Sequence, residues 1–171
     1  MKTVLIPTDY RIASLSYIPQ LLSKLYPEEV EVVMVHMMGV TDCVRELLML
    51  SRRSAEYKHI TDDFYEAVIK LKQENEGQLK NIRLEFFYGN TTTVFKNFID
   101  ANDIDAVLML EDYEYAKLNK TSIDPVEMID RCGKKISRIY SGKLENKPAI
   151  EVQTLVVEET EDEAILTEQY V

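Results

Sequence analysis

The sequence predicts a doubly wound α/β domain, a parallel sheet covered by helices on both faces. Three observations predict it. Short aliphatic runs such as Thr3-Val4-Leu5-Ile6-Pro7 have the length of strands buried on both faces and are too short for helices. Between them lie segments whose apolar residues recur at i, i+3, i+4 and i+7, which is the pattern of a helix with one buried stripe. Strand and helix patterns then alternate five times, as chains do when parallel strands are joined by right-handed crossovers.

The first strand ends abruptly in Pro7-Thr8-Asp9. Asp9 therefore sits at a carboxyl strand end, where open α/β sheets meet their ligands. A helix is expected from about Ser14 or Ser16 to Leu25, with Ile18, Leu21, Leu22 and Leu25 against the sheet. Pro19 is harmless there only in a first turn, whose amides have no helical partner; elsewhere it kinks the helix. Val30-Glu31-Val32-Val33-Met34-Val35-His36-Met37-Met38 is the second strand. From Thr41 to Asn75 the pattern is a broken helix, with Val44, Leu47 and Leu48 in one piece and Phe64, Ala67, Val68 and Leu71 in another. Thr61 caps the second piece, Asp62 and Asp63 occupy its first turn, and Gly77 is placed to end it. The pattern leaves 51–59 undecided between helix and loop.

The third strand covers 82–88. Thr91 or Asn90 caps the next helix, whose buried face is Val94, Phe95, Phe98 and Ile99. The fourth strand is Asp105-Ala106-Val107-Leu108-Met109-Leu110, followed by a polar loop to Ser122. Asp124-Pro125 starts a helix with the stripe Val126, Ile129, Gly133, Ile136 and Tyr140, and 149–157 is the fifth strand. Residues 1–157 form the domain and 158–171 an acidic tail.

A chain of 171 residues suits one domain, burying roughly 70% of its unfolded surface. Its 30 acidic and 20 basic side chains leave a net charge of −10. That balance argues against nucleic acid and anionic membranes as partners, since both would be repelled. Cys43 and Cys132 lie far apart and read as free thiols in a reducing compartment. No leader pattern precedes Val4, and no apolar run nears the ~20 residues that span a bilayer. A cytoplasmic location is expected.

Three stretches carry a family resemblance. Val4-Leu5-Ile6-Pro7-Thr8-Asp9 is similar to the opening I-L-V-P-x-D of universal stress proteins. Val33-Met34-Val35-His36-Met37-Met38 resembles that family's second-strand L-x-H-V pattern, and Asp105-Ala106-Val107-Leu108-Met109 its fourth-strand D-L-I-V-M pattern. Together the likeness covers about 3–157. It implies the adenine nucleotide alpha hydrolase-like sheet of five strands in the order 3-2-1-4-5, a ligand crevice between strands one and four, and a homodimer formed through strand five. It also implies that Asp9 lies near an adenine and ribose; the residue alone reads equally well as a cap on the following loop.

In family members that bind ATP, a G-x2-G-x9-G-[ST] loop follows strand four, and its glycines let backbone amides close on the phosphates. Here Leu110-Glu111-Asp112-Tyr113-Glu114-Tyr115-Ala116-Lys117-Leu118-Asn119-Lys120-Thr121-Ser122 contains no glycine and brings three carboxylates. Like charges ~4 Å apart repel by on the order of 4 kcal/mol at an effective dielectric near 20. ATP is therefore not expected, and no other cofactor is indicated.

Two readings follow. The first is a non-enzymatic regulatory or protective domain, homodimeric, with a degenerate nucleotide site and a protein or small-molecule partner. The alternative is a small-ligand protein that holds a nucleoside, nucleotide or other anion between Asp9 and the Lys120-Thr121-Ser122 corner; as plain structure, Thr121 and Ser122 would only help cap the next helix. A phosphoacceptor receiver fails, because Phe86-Phe87-Tyr88-Gly89 offers no aspartate where strand three ends. His36 and His59 do not make a metal cluster, and Met34, Met37, Met38 and Met49 read as core filler. Tyr113 and Tyr115 either close the crevice or meet a partner.

Overall fold

The computed structural model describes residues 1–25, 27–40 and 54–139, the side chains of Ser54 and Ala55 excepted. All of these lie in the compact unit Met1–Ser141; the other unit, Gly142–Val171, falls outside them. The described elements run β1 Lys2–Pro7, α1 Ile12–Leu15, α2 Ile18–Leu25, β2 Val30–Met38, α3 Ser54–Tyr57, α4 Asp62–Glu74, β3 Leu79–Tyr88, α5 Thr92–Ala101, β4 Ala106–Leu110, α6 Val126–Asp130 and β5 Lys135–Ile139. The five strands form one sheet in the order β3-β2-β1-β4-β5, and every pairing is parallel. The winding direction reverses between β1 and β4, as the resemblance implied.

Alternation along the strands builds two cores. Val4, Ile6, Val32, Met34 and Leu108 face one layer with Leu21, Leu22 and Phe64. Leu5, Val33, Val35, Val107 and Met109 face the other with Phe95, Ile99 and Ile129. Both faces of the central strands are thus apolar, which is why β1 and β2 read as unbroken hydrophobic runs.

Helix boundaries follow capping and proline chemistry. The expected first helix is two pieces: a continuous one would drive the Pro19 ring into the carbonyl of Leu15. The chain breaks at Ser16 and Tyr17, and Pro19 falls in the first turn of α2. Thr61 caps α4 by accepting from the Phe64 amide at 3.3 Å, and Thr91 caps α5 by accepting from Val94 at 3.3 Å. Asn75, rather than Gly77, ends α4. Its side chain donates to Leu71 O at 2.8 Å while its own carbonyl accepts from Gln78 and Leu79. Of the expected α5 face, Phe95 and Ile99 are buried and Phe98 half-buried, but Val94 is 43% exposed. The stripe centres on 95 and 99, which turns 94 outward.

The C-terminal half of the domain needs a larger correction. The helix expected through Ile136 stops at Asp130, because Gly133 turns the chain at φ 76°. Ile136 belongs to β5, whose register with β4 runs from Ala106↔Lys135 to Leu110↔Ile139. The fifth strand is therefore not 149–157, which lies outside the described residues, as do Val44, Leu47, Leu48, Met49, Cys43, Tyr140 and the tail at 158–171. Within 51–59, Ser54–Tyr57 is helical.

Candidate functional site

β1 and β2 deliver Thr8, Asp9 and His36 to the carboxyl end of the sheet. Just beyond β1 the chain turns sharply, with Tyr10 at φ 57°, a left-handed conformation costly for a non-glycine residue. Tertiary contacts hold it there. Tyr10 is buried, its amide donates to Thr8 Oγ1 at 2.9 Å, and its hydroxyl donates to Glu85 O at 2.6 Å. Its ring packs on Phe86 and Phe64 at centroid distances of 5.1 and 5.5 Å.

The turn leaves Asp9 pointing at the loop that follows β4, residues 111–122. Asp9 is only 2% exposed. Its Oδ1 accepts from the Tyr113 hydroxyl at 2.7 Å and the Arg11 amide at 3.1 Å, and its Oδ2 accepts from the Ala116 amide at 3.0 Å. The Arg11 guanidinium, largely in solvent, lies 3.5 Å from Oδ2. Burial first, and then its bond to Asp9, push the Tyr113 hydroxyl well above the ordinary tyrosine pKa, so it stays a proton donor. Tyr113 stacks edgewise on Tyr17 and on Tyr115, at 5.9 and 5.0 Å.

From Asp9 the loop continues across the sheet to β2. The Gly39 amide donates to Thr121 O at 2.7 Å, and the Ile123 amide to Met37 O at 3.0 Å. The loop leaves β4, crosses the end of β1 and ties to the end of β2, so it roofs the point where the winding reverses. Glu111 does not project toward that point: its carboxylate pairs with Arg138, which also holds Asp130 at 2.7 Å.

Under the roof lies a hydrogen-bonded chain that sequence reading missed. His36 is 3% exposed; its Nδ1 is 2.8 Å from Thr8 O and its Nε2 3.0 Å from Ser122 Oγ. A carbonyl only accepts, so Nδ1 carries the proton and Nε2 accepts from the Ser122 hydroxyl. The Ser122 oxygen in turn accepts from the Leu118 and Asn119 amides at 3.0 and 3.1 Å. Burial lowers the His36 pKa, against the opposing pull of Thr8 O, Asp9 and Glu56. His36 and Ser122 stand 86 positions apart, which hides their pairing from any local motif.

His36, Ser122, Thr8, Tyr115 and Lys117 line a pocket of about 80 Å³, far below the 300–1,000 Å³ usual for ligand sites. A wider groove of about 680 Å³ runs past Asn90, Thr92, Asp124, Glu127, Asp130 and Arg131, and each of these is exposed or half-buried.

The four ligand candidates are placed differently. Asp9 is buried beneath the loop and Ser122 is buried against His36, whereas Lys120 is exposed. Thr121 is bound into its own turn, with its amide and hydroxyl donating to Asn119 Oδ1 at 2.9 and 2.8 Å. Neither Thr121 nor Ser122 opens the next helix. Pro125 precedes its first residue without a side-chain cap, Asp124 accepts from the Val126 amide at 2.9 Å, and α6 has only five residues.

No protein-family model matches the chain, and neither does any curated protein. Solved structures do. Universal stress protein UspA from Lactobacillus plantarum aligns over 81% of this chain and 97% of its own, with 13% identity and a TM-score of 0.51. The chain has the universal stress protein fold. A protein of that family from Burkholderia pseudomallei aligns over 81% of this chain and 95% of its own at 10% identity and TM-score 0.44. One from Arabidopsis thaliana, with AMP bound, aligns over 84% and 94% at 11% and 0.44. The fold assignment rests on the Lactobacillus protein. In this sheet the winding reverses between β1 and β4, and that is the place covered by 111–122.

Proposed function

We infer that this chain is a non-enzymatic regulatory or protective domain of the universal stress protein type, whose nucleotide crevice has been given over to its own loop. The supporting observation is the satisfaction of Asp9. Tyr113, Ala116 and Arg11 together make the bonds that a ligand at this position would need, and the Tyr113 ring occupies the space beside them. The glycine-free stretch adds side chains where a triphosphate requires bare backbone, and the nearby pocket of about 80 Å³ is too small for a nucleoside. With Glu111 paired to Arg138, closure contributes more than carboxylate repulsion. The chain acts as a homodimer and reads out through a protein partner. Calorimetric titration with ATP in magnesium buffer tests this reading. No heat of binding is expected up to millimolar ATP, and micromolar affinity would overturn it.

A further inference from the structure

We propose that His36 is a proton-operated latch on loop 111–122: neutral, it holds the roof over Asp9 shut, and protonated, it releases it. Ser122 has one hydrogen and two lone pairs. The hydrogen goes to His36 Nε2, and the lone pairs accept from Leu118 N and Asn119 N. A protonated imidazole presents an N–H at Nε2, which needs an acceptor. Ser122 can redirect its hydrogen to Asn119 Oδ1 at 3.5 Å or Met38 Sδ at 3.9 Å, but its oxygen would still face three donors with two lone pairs. Either a loop amide loses its partner or His36 carries a buried charge unbonded, and each disfavours the closed loop.

Nδ1 offers no relief, because Thr8 O already accepts from it in both charge states. Thr8 is itself fixed: Ser14 Oγ donates to Arg11 O, so Thr8 Oγ1 donates to Ser14 and accepts from the Tyr10 amide. The groups facing His36 come from every side. Asp9 lies at the end of β1, with the Tyr10 ring 6.1 Å away; Glu56 on α3 and His59 just after it lie on another side; Lys117 and Asp124 share its pocket. The carboxylates favour a charged His36, and His59 and Lys117 oppose it. Loop release also uncovers Asp9, because the segment carrying Leu118 and Asn119 carries Ala116 and Tyr113 as well.

The inference deepens the closed-crevice reading by giving it a control, and the two can fail separately. The test is amide hydrogen exchange by NMR on the full chain from pH 7.5 to 5, with the His36 ring followed in the same samples and assigned by comparison with His59→Gln. After correction for intrinsic rates, Ala116, Leu118 and Asn119 are expected to lose protection together, by up to about tenfold per pH unit as pH falls from about 6.5 toward the His36 midpoint, and to level off below it, as one linked proton requires. Strand amides of β1 and β2 are expected to stay protected. In His36→Gln, whose side-chain oxygen can still accept from Ser122, the loop response to pH is expected to vanish. Three results overturn the latch: loop amides indifferent to His36 titration, strand amides opening in step with them, or an unchanged response in the variant. If His36→Gln does not fold, the wild-type midpoints alone decide. ATP binding at pH 7.5 would overturn the closed-crevice reading and leave the latch standing.

Discussion

Asp9 is a carboxylate taken out of water and repaid by three donors from its own chain, two of them more than 100 positions away. Removing one donor leaves the buried charge short of a partner, a loss of about 1–3 kcal/mol. Tyr113→Phe is therefore expected to lower stability by that amount in urea unfolding, although its ring can still pack on Tyr17 and Tyr115. An unchanged midpoint would mean the hydroxyl bond is not made. His36 adds a pH dependence of definite sign. Burial sets its folded pKa below the ordinary value of about 6.5. Below pH 6.5 the unfolded chain therefore takes a proton that the folded chain refuses. Stability from this group is complete above 6.5 and is lost as pH falls through the window down to the folded value, with a slope of at most about 1.4 kcal/mol per pH unit. His36→Gln is expected to show a smaller loss than wild type between pH 7.5 and 5.5 in the same unfolding assay; an equal loss would assign the slope to the carboxylates.

Elements with a local cause were legible in the sequence, and those fixed by distant contacts were not. Val30–Met38 has the same bounds in both, because nine positions in a row, all apolar except Glu31 and His36, fit a strand buried on both faces. Thr61 caps its helix as read, and Thr91, one of the two caps read for α5, is the one used, since a cap needs only its own next three residues. The α6–β5 segment misled because Ile129, Gly133 and Ile136 fit a helical stripe. The decisive signal was Gly133, read there as a small core residue when its backbone was the point. At φ 76° a Cβ is disfavoured, and the nearest atoms to it would be Lys96 Cε and Nζ at 3.9 Å. The cost of Gly133→Ala is therefore conformational, about 1–2 kcal/mol, and should appear as a lower denaturant midpoint with an unchanged slope. No shift would mean the turn relaxes out of the left-handed region.

At the scale of the whole molecule, the order β3-β2-β1-β4-β5 and the switch point at β1/β4 agree with what the family resemblance implied, while the state of the crevice was beyond the sequence. Closure needs Tyr113 to cross 104 positions to Asp9 and Ser122 to cross 86 to His36, and no spacing rule encodes either. The proposed homodimer is also a property of this scale. Among the described residues β5 is paired on its β4 side alone, and sheet edges are usually blunted by charge or covered. Lys135 and Arg138 point out from β5, but Arg138 is consumed within the chain by Glu111 and Asp130. The remaining obstacle to self-association is general, a net charge of −10 on each copy. Salt screens such repulsion, with a Debye length falling from about 30 Å at 0.01 M to about 10 Å at 0.1 M. Light scattering is therefore expected to give twice the chain mass at 0.1 M salt and above, with dissociation appearing first at low salt. A single-chain mass at high micromolar concentration in both conditions would remove the dimer, and with it the role proposed for the β5 edge.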